Sequence, residues 1–270
     1  MKNKNVLITG ATDGIGKETA LQLARKGARV LVHGRSEARC QQAVDEIRSQ
    51  SGSPQVEYVL ADFASLAQVR AMAEEVKRRV ERLDVLVNNA GGHFKERTLS
   101  EDGYEMTLAV NHLAPFLLTN LLLPLLKKSP AGRIVTVSST LHTVRGLDMD
   151  DLQGEQRYRG NAAYALSKLG NILMTRELAE RLAGSSVTAN SLHPGTVDTK
   201  LLRNAFGMSG SSIESGAATS VYLASSPEVA EVSGAYFEHV RQVDAGEQAQ
   251  DPALQKQFWQ ISAEWTGLAR

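Results

Sequence analysis

Two patterns alternate along this chain. Short apolar runs, rich in β-branched residues, occupy 5–9, 29–33, 56–60, 84–88, 133–138, 187–192 and 235–238. Between them apolar residues recur every three or four positions, near 15–27, 36–50, 65–81, 101–127, 161–183, 213–225 and 251–266. The first pattern predicts strands and the second amphipathic helices. Most strand runs are continuously apolar, as parallel strands buried on both faces are. Regular alternation predicts βαβ units with right-handed crossovers. No Pro/Ser-rich linker and no repeat interrupts it, so residues 1–270 read as a single domain.

Ligands in such sheets bind beyond the C-terminal strand ends, and the first strand leads into Thr9-Gly10-Ala11-Thr12-Asp13-Gly14-Ile15-Gly16. Gly10 permits a tight turn off the strand. Gly14 and Gly16 remove side chains where a pyrophosphate approaches and where the next helix packs. That helix offers free N–H groups and a positive dipole end to the anion. The predicted fold is therefore a Rossmann-type α/β domain. Its doubly wound parallel sheet has about seven strands, with helices on both faces.

The later strand ends carry candidate chemistry. Arg35 stands about 20 residues past the glycines, where an acid would bind the ribose 2′-OH of NAD. A guanidinium there suits a 2′-phosphate, and Lys17 offers a second charge. Asp62 can accept from an adenine amino group while Phe63 packs beside the base; alternatively Asp62 caps the next helix. Asn89, Ala90 and Gly91 combine small side chains for close approach with an amide that can hold neighbouring strands. Tyr164 and Lys168 are four apart on one predicted helix face. A free phenol is a weak base at neutral pH, and a nearby ammonium is expected to favour phenolate. Ser138 or Ser139, on opposite faces of a strand end, can donate to a substrate oxygen.

Composition narrows the partners. Apolar residues make up 42% and charged residues 22% of the chain, ordinary for a globular protein. Thirty basic residues balance thirty acidic ones, so no electrostatic footprint for nucleic acid is expected. The single cysteine, Cys40, has no partner for a disulfide, and no histidine pair has metal spacing. The apolar stretch from Leu113 to Leu126 is shorter than a membrane span and carries Pro115, Asn120 and Pro124. It reads as a core or interface helix. The first strand begins close to Met1, and the expectation is a cytoplasmic protein without a signal or anchor.

The T-G-x-x-x-G-x-G turn, Asn88-Asn89-Ala90-Gly91, the strand-end serines and Tyr164-Ala165-Leu166-Ser167-Lys168 occur in the order of the classical short-chain dehydrogenase/reductase family. The resemblance covers nearly the whole chain. Asn111-His112-Leu113-Ala114-Pro115-Phe116, Asp151-Leu152-Gln153, Phe258-Trp259 and Trp265 to Leu268 resemble its retinol-dehydrogenase-like branch. The resemblance implies a nicotinamide dinucleotide cofactor, and Arg35 makes NADP(H) the expected one, with NAD(H) less favoured. It implies hydride exchange with a carbonyl or alcohol of an apolar small molecule. Residues 1–130 would mainly bind cofactor and 131–270 carry catalysis. Tyr164 would exchange the proton, Lys168 bind the nicotinamide ribose, Ser139 orient substrate, and Asn111 anchor a relay water. Pro194, Gly195, Val197 and Thr199 would hold the nicotinamide carboxamide.

The flexible segment 196–215, with Leu201, Leu202, Phe206 and Met208, reads as a substrate lid. Family dimers pair the 101–127 helix and the Tyr164 helix with their mates. The extra residues around Gly146 to Gly160 are expected to cover that face, so monomer and homodimer both stay open. Two other readings compete: a C=C reductase of the protochlorophyllide-reductase type, and a non-catalytic NADP-binding sensor or scaffold.

Overall fold

The structure is a computed structural model that describes residues 1–143 and 148–268. Its strands are β1 (Asn5–Ile8), β2 (Arg29–Gly34), β3 (Val56–Leu60), β4 (Val85–Asn88), β5 (Gly132–Val137), β6 (Val187–His193), β7 (Tyr236–Glu238) and β8 (Arg241–Val243). The helices are α1 (Gly14–Arg25), α2 (Glu37–Ser51), α3 (Leu66–Arg79), α4 (Met106–Leu108), α5 (Ala114–Leu126), α6 (Gly160–Arg181), α7 (Lys200–Phe206), α8 (Ile213–Ser225), α9 (Glu247–Gln250) and α10 (Pro252–Trp265). One sheet runs β3-β2-β1-β4-β5-β6-β7-β8. All neighbours pair in parallel except β7 and β8.

Alternation along each strand sorts the helices between two faces. Val6, Ile8, Val30, Val32, Val85 and Val87 pack with α1, α2 and α8. Leu7, Leu31, Leu86 and Ile134 point the other way, into a core shared with α3, α5, α6 and α10. Strand order reverses between β1 and β4, whose C-terminal ends open the crevice that holds the site.

Three expectations are corrected. The sheet has eight strands, because β7 and β8 form a hairpin through His239 and Val240. Both take positive φ, 48° and 63°. Asn-Gly would signal such a turn; His-Val does not. The helix expected over 101–127 begins only at Met106. Gly103 turns at φ 83°, Leu99 bridges Glu105, and the Glu105 carboxylate caps the N–H groups of Thr107 and Leu108. A π-turn, Ala109–Leu113, then interrupts the helix around Asn111. The whole stretch Met106–Leu126 spans 21 residues, long enough to cross a bilayer, yet 72% of its apolar window is buried inside the fold. Packing rather than length makes it a core helix.

The third correction concerns the covered face. Gly146 and Leu147 lie outside the described residues. The rest of that insertion packs on segment 94–105: Gln153 Oε1 accepts from Glu105 N–H, and the Tyr158 hydroxyl donates to Phe94 O. The α6 face is covered by α10, which reaches α5 at Phe116. The Trp259 ring meets Phe116 edge-on at 4.8 Å, and Arg181 lies 4.5 Å over it. A Cβ on Gly170 would come within 2.5 Å of the Phe258 ring, so a glycine is needed there for α10 to seat.

Candidate active site

At the adenosine end, the turn after β1 depends on its glycines. Gly10 and Gly14 have φ of 62° and 54°. A Cβ on Gly10 would come within 2.8 Å of the Ala90 backbone, and one on Gly16 would collide with Asn89 Nδ2 and Gly10 O. Asn89 holds the turn, its Nδ2 donating to Thr9 O at 2.8 Å and Gly10 O at 3.2 Å. Asp13 caps α1 through Gly14 N–H at 2.8 Å. Gly34 is needed beside Thr12, whose Cγ2 would lie 2.5 Å from an added Cβ.

His33 is a fixture that motif reading passed over. Its Nδ1 accepts from Gly10 N–H at 3.2 Å, and its Nε2–H donates to Ala61 O at 3.1 Å. The two bonds set one neutral tautomer. Burial pushes its pKa down to about 4. The ring stacks on Phe63 with centroids 4.4 Å apart. β1, β2 and β3 are thus pinned together where an adenosine would lie. Asp62 lines the cleft but does not cap α3. Its Oδ1 accepts from Ala64 N–H at 2.9 Å, a short turn.

Arg35 is exposed at this end of the cleft. Lys17 is not its companion: it pairs with Glu46 at 2.8 Å and lies outside the lining. The second cation is Arg39, one helical turn into α2 and 3.6 Å from Asp13. The Arg-x-x-x-Arg spacing ahead of a helix was the available signal.

The other end is built from β4, β5 and α6. Tyr164, Ser139 and Lys168 are buried together at 8%, 8% and 3% exposure. Ser138 turns away, its hydroxyl donating to Lys168 O at 2.7 Å. Both serines line the cleft, and Ser139 is the one hydrogen-bonded to Tyr164. Lys168 Nζ donates to Val137 O at 3.2 Å and lies 5.5 Å from the Tyr164 ring centre. Burial drives Lys168 down to about 8. It drives Tyr164 up to about 12, against the hydrogen bond to Ser139. Loss of solvent around the two buried groups is the cause in both cases.

Asn111 is fully buried behind this end and does not line the cleft. Its Oδ1 accepts from Gly92 N–H at 2.7 Å, and its Nδ2 donates to Gly92 O and Ser167 Oγ. The amide is committed to protein partners and ties the β4 loop to α6. A Cβ on Gly91 would lie 3.3 Å from both Asn111 Oδ1 and Lys168 Nζ, a tight fit that glycine avoids.

A cleft of about 870 Å³ joins the two ends. All the other sequence-assigned site residues line it, including Ile15, Ala90, Pro194, Gly195 and Val197. Thr199 caps α7, its hydroxyl oxygen accepting from Leu202 N–H at 3.2 Å while its own hydrogen stays available. Leu201, Leu202, Phe206 and Met208 also line the cleft. Phe206 meets Tyr164 and His93 edge-on at 6.1 and 5.2 Å. Among the described residues no acidic, histidine or cysteine cluster has metal-binding geometry.

The residues present fit a nicotinamide dinucleotide. A helix N-terminus and positive-φ glycines face the middle of the cleft, arginines stand at one end, and a buried Tyr–Lys–Ser group at the other. A sequence profile described as short chain dehydrogenase matches residues 4–209. Human retinol dehydrogenase 14 is 43% identical, over 100% of this chain and 88% of its own. An uncharacterised protein from Mycobacterium paratuberculosis superposes with TM-score 0.82 at 34% identity, covering 98% of this chain and 94% of that one. A short chain dehydrogenase from Escherichia coli CFT073, solved with NADPH, gives TM-score 0.74 at 27% identity, covering 89% and 98%.

Proposed function

The chain belongs to the short chain dehydrogenase family, and from that premise we propose that it is an NADPH-dependent reductase of apolar aldehydes and ketones, or in reverse an alcohol dehydrogenase. Its class, a nicotinamide-dependent oxidoreductase of alcohol and carbonyl groups, follows from the family. The finer reading is carried by the placement of Tyr164, Ser139 and Lys168 beneath an apolar lid, with Arg35 and Arg39 at the opposite end.

Each residue has a defined task. Arg35 supplies a planar cation to a 2′-phosphate, with Arg39 beside it. Gly10, Gly14 and Gly16 leave room for the pyrophosphate at the start of α1. Lys168 is placed to hold the nicotinamide ribose, and Thr199 the carboxamide. Bound nicotinamide gives or takes the hydride. Ser139 donates to the substrate oxygen, and Tyr164 delivers the proton to it as the carbonyl carbon is reduced. Burial favours the protonated phenol, the form a reduction needs. The lid excludes water and selects apolar groups through Leu201, Leu202, Phe206 and Met208.

NADPH oxidation across a panel of carbonyl compounds tests this. Medium and long apolar aldehydes should show higher kcat/KM than short or anionic ones; the reverse order rejects the lid assignment. Turnover of activated alkenes without carbonyls would favour C=C reduction, and cofactor binding with no turnover a sensor. The covered α6 face supports a monomer, which light scattering at micromolar concentration checks. A cytoplasmic location is part of this proposal; recovery in the membrane fraction would count against it.

A further inference from the structure

The geometry points to Lys200 as an additional phosphate ligand, carried by the lid and held ready by Asp13. It couples closure of α7 to the presence of a dinucleotide pyrophosphate. This rests on the cofactor reading above, and it assigns a role to a residue that no motif singled out.

Asp13 poses an electrostatic problem. Its carboxylate stands at the N-terminus of α1, in the mouth of the site an anion must enter, and already occupies Gly14 N–H. An uncompensated charge there would repel a pyrophosphate. Two cations meet its other oxygen, Lys200 Nζ at 2.6 Å and Arg39 at 3.6 Å. The Lys200 bond holds the Asp13 carboxyl below its ordinary range. Two cations share one carboxylate, so the trio keeps a positive charge, and all three residues line the cleft. Neighbouring cations differ. Lys17 is balanced by Glu46 and Arg203 by Asp198, each in a pair of its own.

Fold stability does not explain Lys200. Its side chain is 71% exposed, and ion pairs that exposed contribute little. It is the first residue of α7, where the helix dipole disfavours a cation. No residue of α7 is fully buried, and Leu201, Leu202, Ala205 and Phe206 are only half-buried, so the helix is held less firmly than the core helices. Yet its base lies against the glycine turn: a Cβ on Gly14 would sit 3.6 Å from Thr199 Cγ2. On this inference the ammonium exchanges Asp13 for a phosphate oxygen and draws the lid over the reacting end.

Fluorescence titration with NADPH and NADH tests the assignment on the whole chain. Lys200→Ala should weaken both dinucleotides by about tenfold, the worth of one charge-assisted bond, and leave their ratio unchanged. Affinity for adenosine 2′-phosphate, which lacks the pyrophosphate, should not change. Lys200→Arg should restore most of the loss. Amide exchange in 200–206 should slow when NADPH is added to the unmodified protein but not to Lys200→Ala. Dinucleotide affinities within twofold of the unmodified protein overturn the inference. A loss confined to NADPH also overturns it, by moving Lys200 to the 2′-phosphate. Unaltered exchange overturns the coupling. If the unmodified protein binds neither dinucleotide, the cofactor reading itself fails and takes this inference with it.

Discussion

The adenosine end and the substrate end of the cleft are built on different principles. The first is a frame of backbone and short polar links. His33 bridges Gly10 and Ala61, Asn89 holds the turn, and Phe63 stacks beneath. The second is a rigid floor under a loose roof. Tyr164 and Lys168 are buried in α6, whereas α7 above them has no fully buried residue. Recognition of a constant ligand suits a preorganised frame. Recognition of a variable substrate suits a roof whose side chains repack. Under the proposed function, affinity would rest at one end, and chemistry and selectivity at the other.

The largest expected effect separates the two ends outright. Tyr164→Phe removes the transferable proton from the floor and leaves the frame intact. Turnover should fall by about a hundred- to ten-thousandfold with NADPH affinity unchanged. A residual rate within tenfold, in a protein of unaltered melting temperature, removes Tyr164 from the acid–base role.

The next effect probes the frame through pH. Burial lowers His33 to about 4, and His112, packed under α10, likewise to about 4. Each therefore stays neutral in the folded chain at pH values where the unfolded chain, near 6.5, already binds a proton. Stability should be full above about 6.5 and fall as pH drops from there toward about 4. The limit is about 3 kcal/mol per histidine. Urea unfolding at pH 7.5 and pH 4.5 measures it. His33→Phe should shallow the slope relative to the unmodified protein; an unchanged slope means His33 does not carry its share.

Cofactor preference is the third and smaller effect. Arg35→Asp should cost NADPH roughly ten- to a hundredfold in affinity and favour NADH, since a charge-assisted bond contributes about 1.5–3 kcal/mol. Equal binding of NADH and NADPH by the unmodified protein would return Arg35 to the surface cations. The smallest is Arg39→Ala, a loss of a few-fold for NADPH, because Arg39 is half exposed and shared with Asp13. A larger loss than at Arg35 would reverse their order.

Local patterns in the chain determined the fold class, the parallel sheet, the glycine turn and the identity of Tyr164, Lys168 and the strand-end serine pair. Each depends on periodicity or on residues a few positions apart, and strand ends of an α/β sheet converge without further instruction. The eighth strand escaped because its turn, His239-Val240, lacks turn chemistry. The choice of α10 to cover α6 depended on Gly170 admitting Phe258, a contact between residues far apart in the chain. Arg39 lines the cleft and Lys17 does not, because Lys17 pairs with Glu46 on the facing helix. The high phenol of Tyr164 has the same origin. Charge partners and desolvation depend on what the folded chain brings within a few ångströms, and only the tertiary structure decides that.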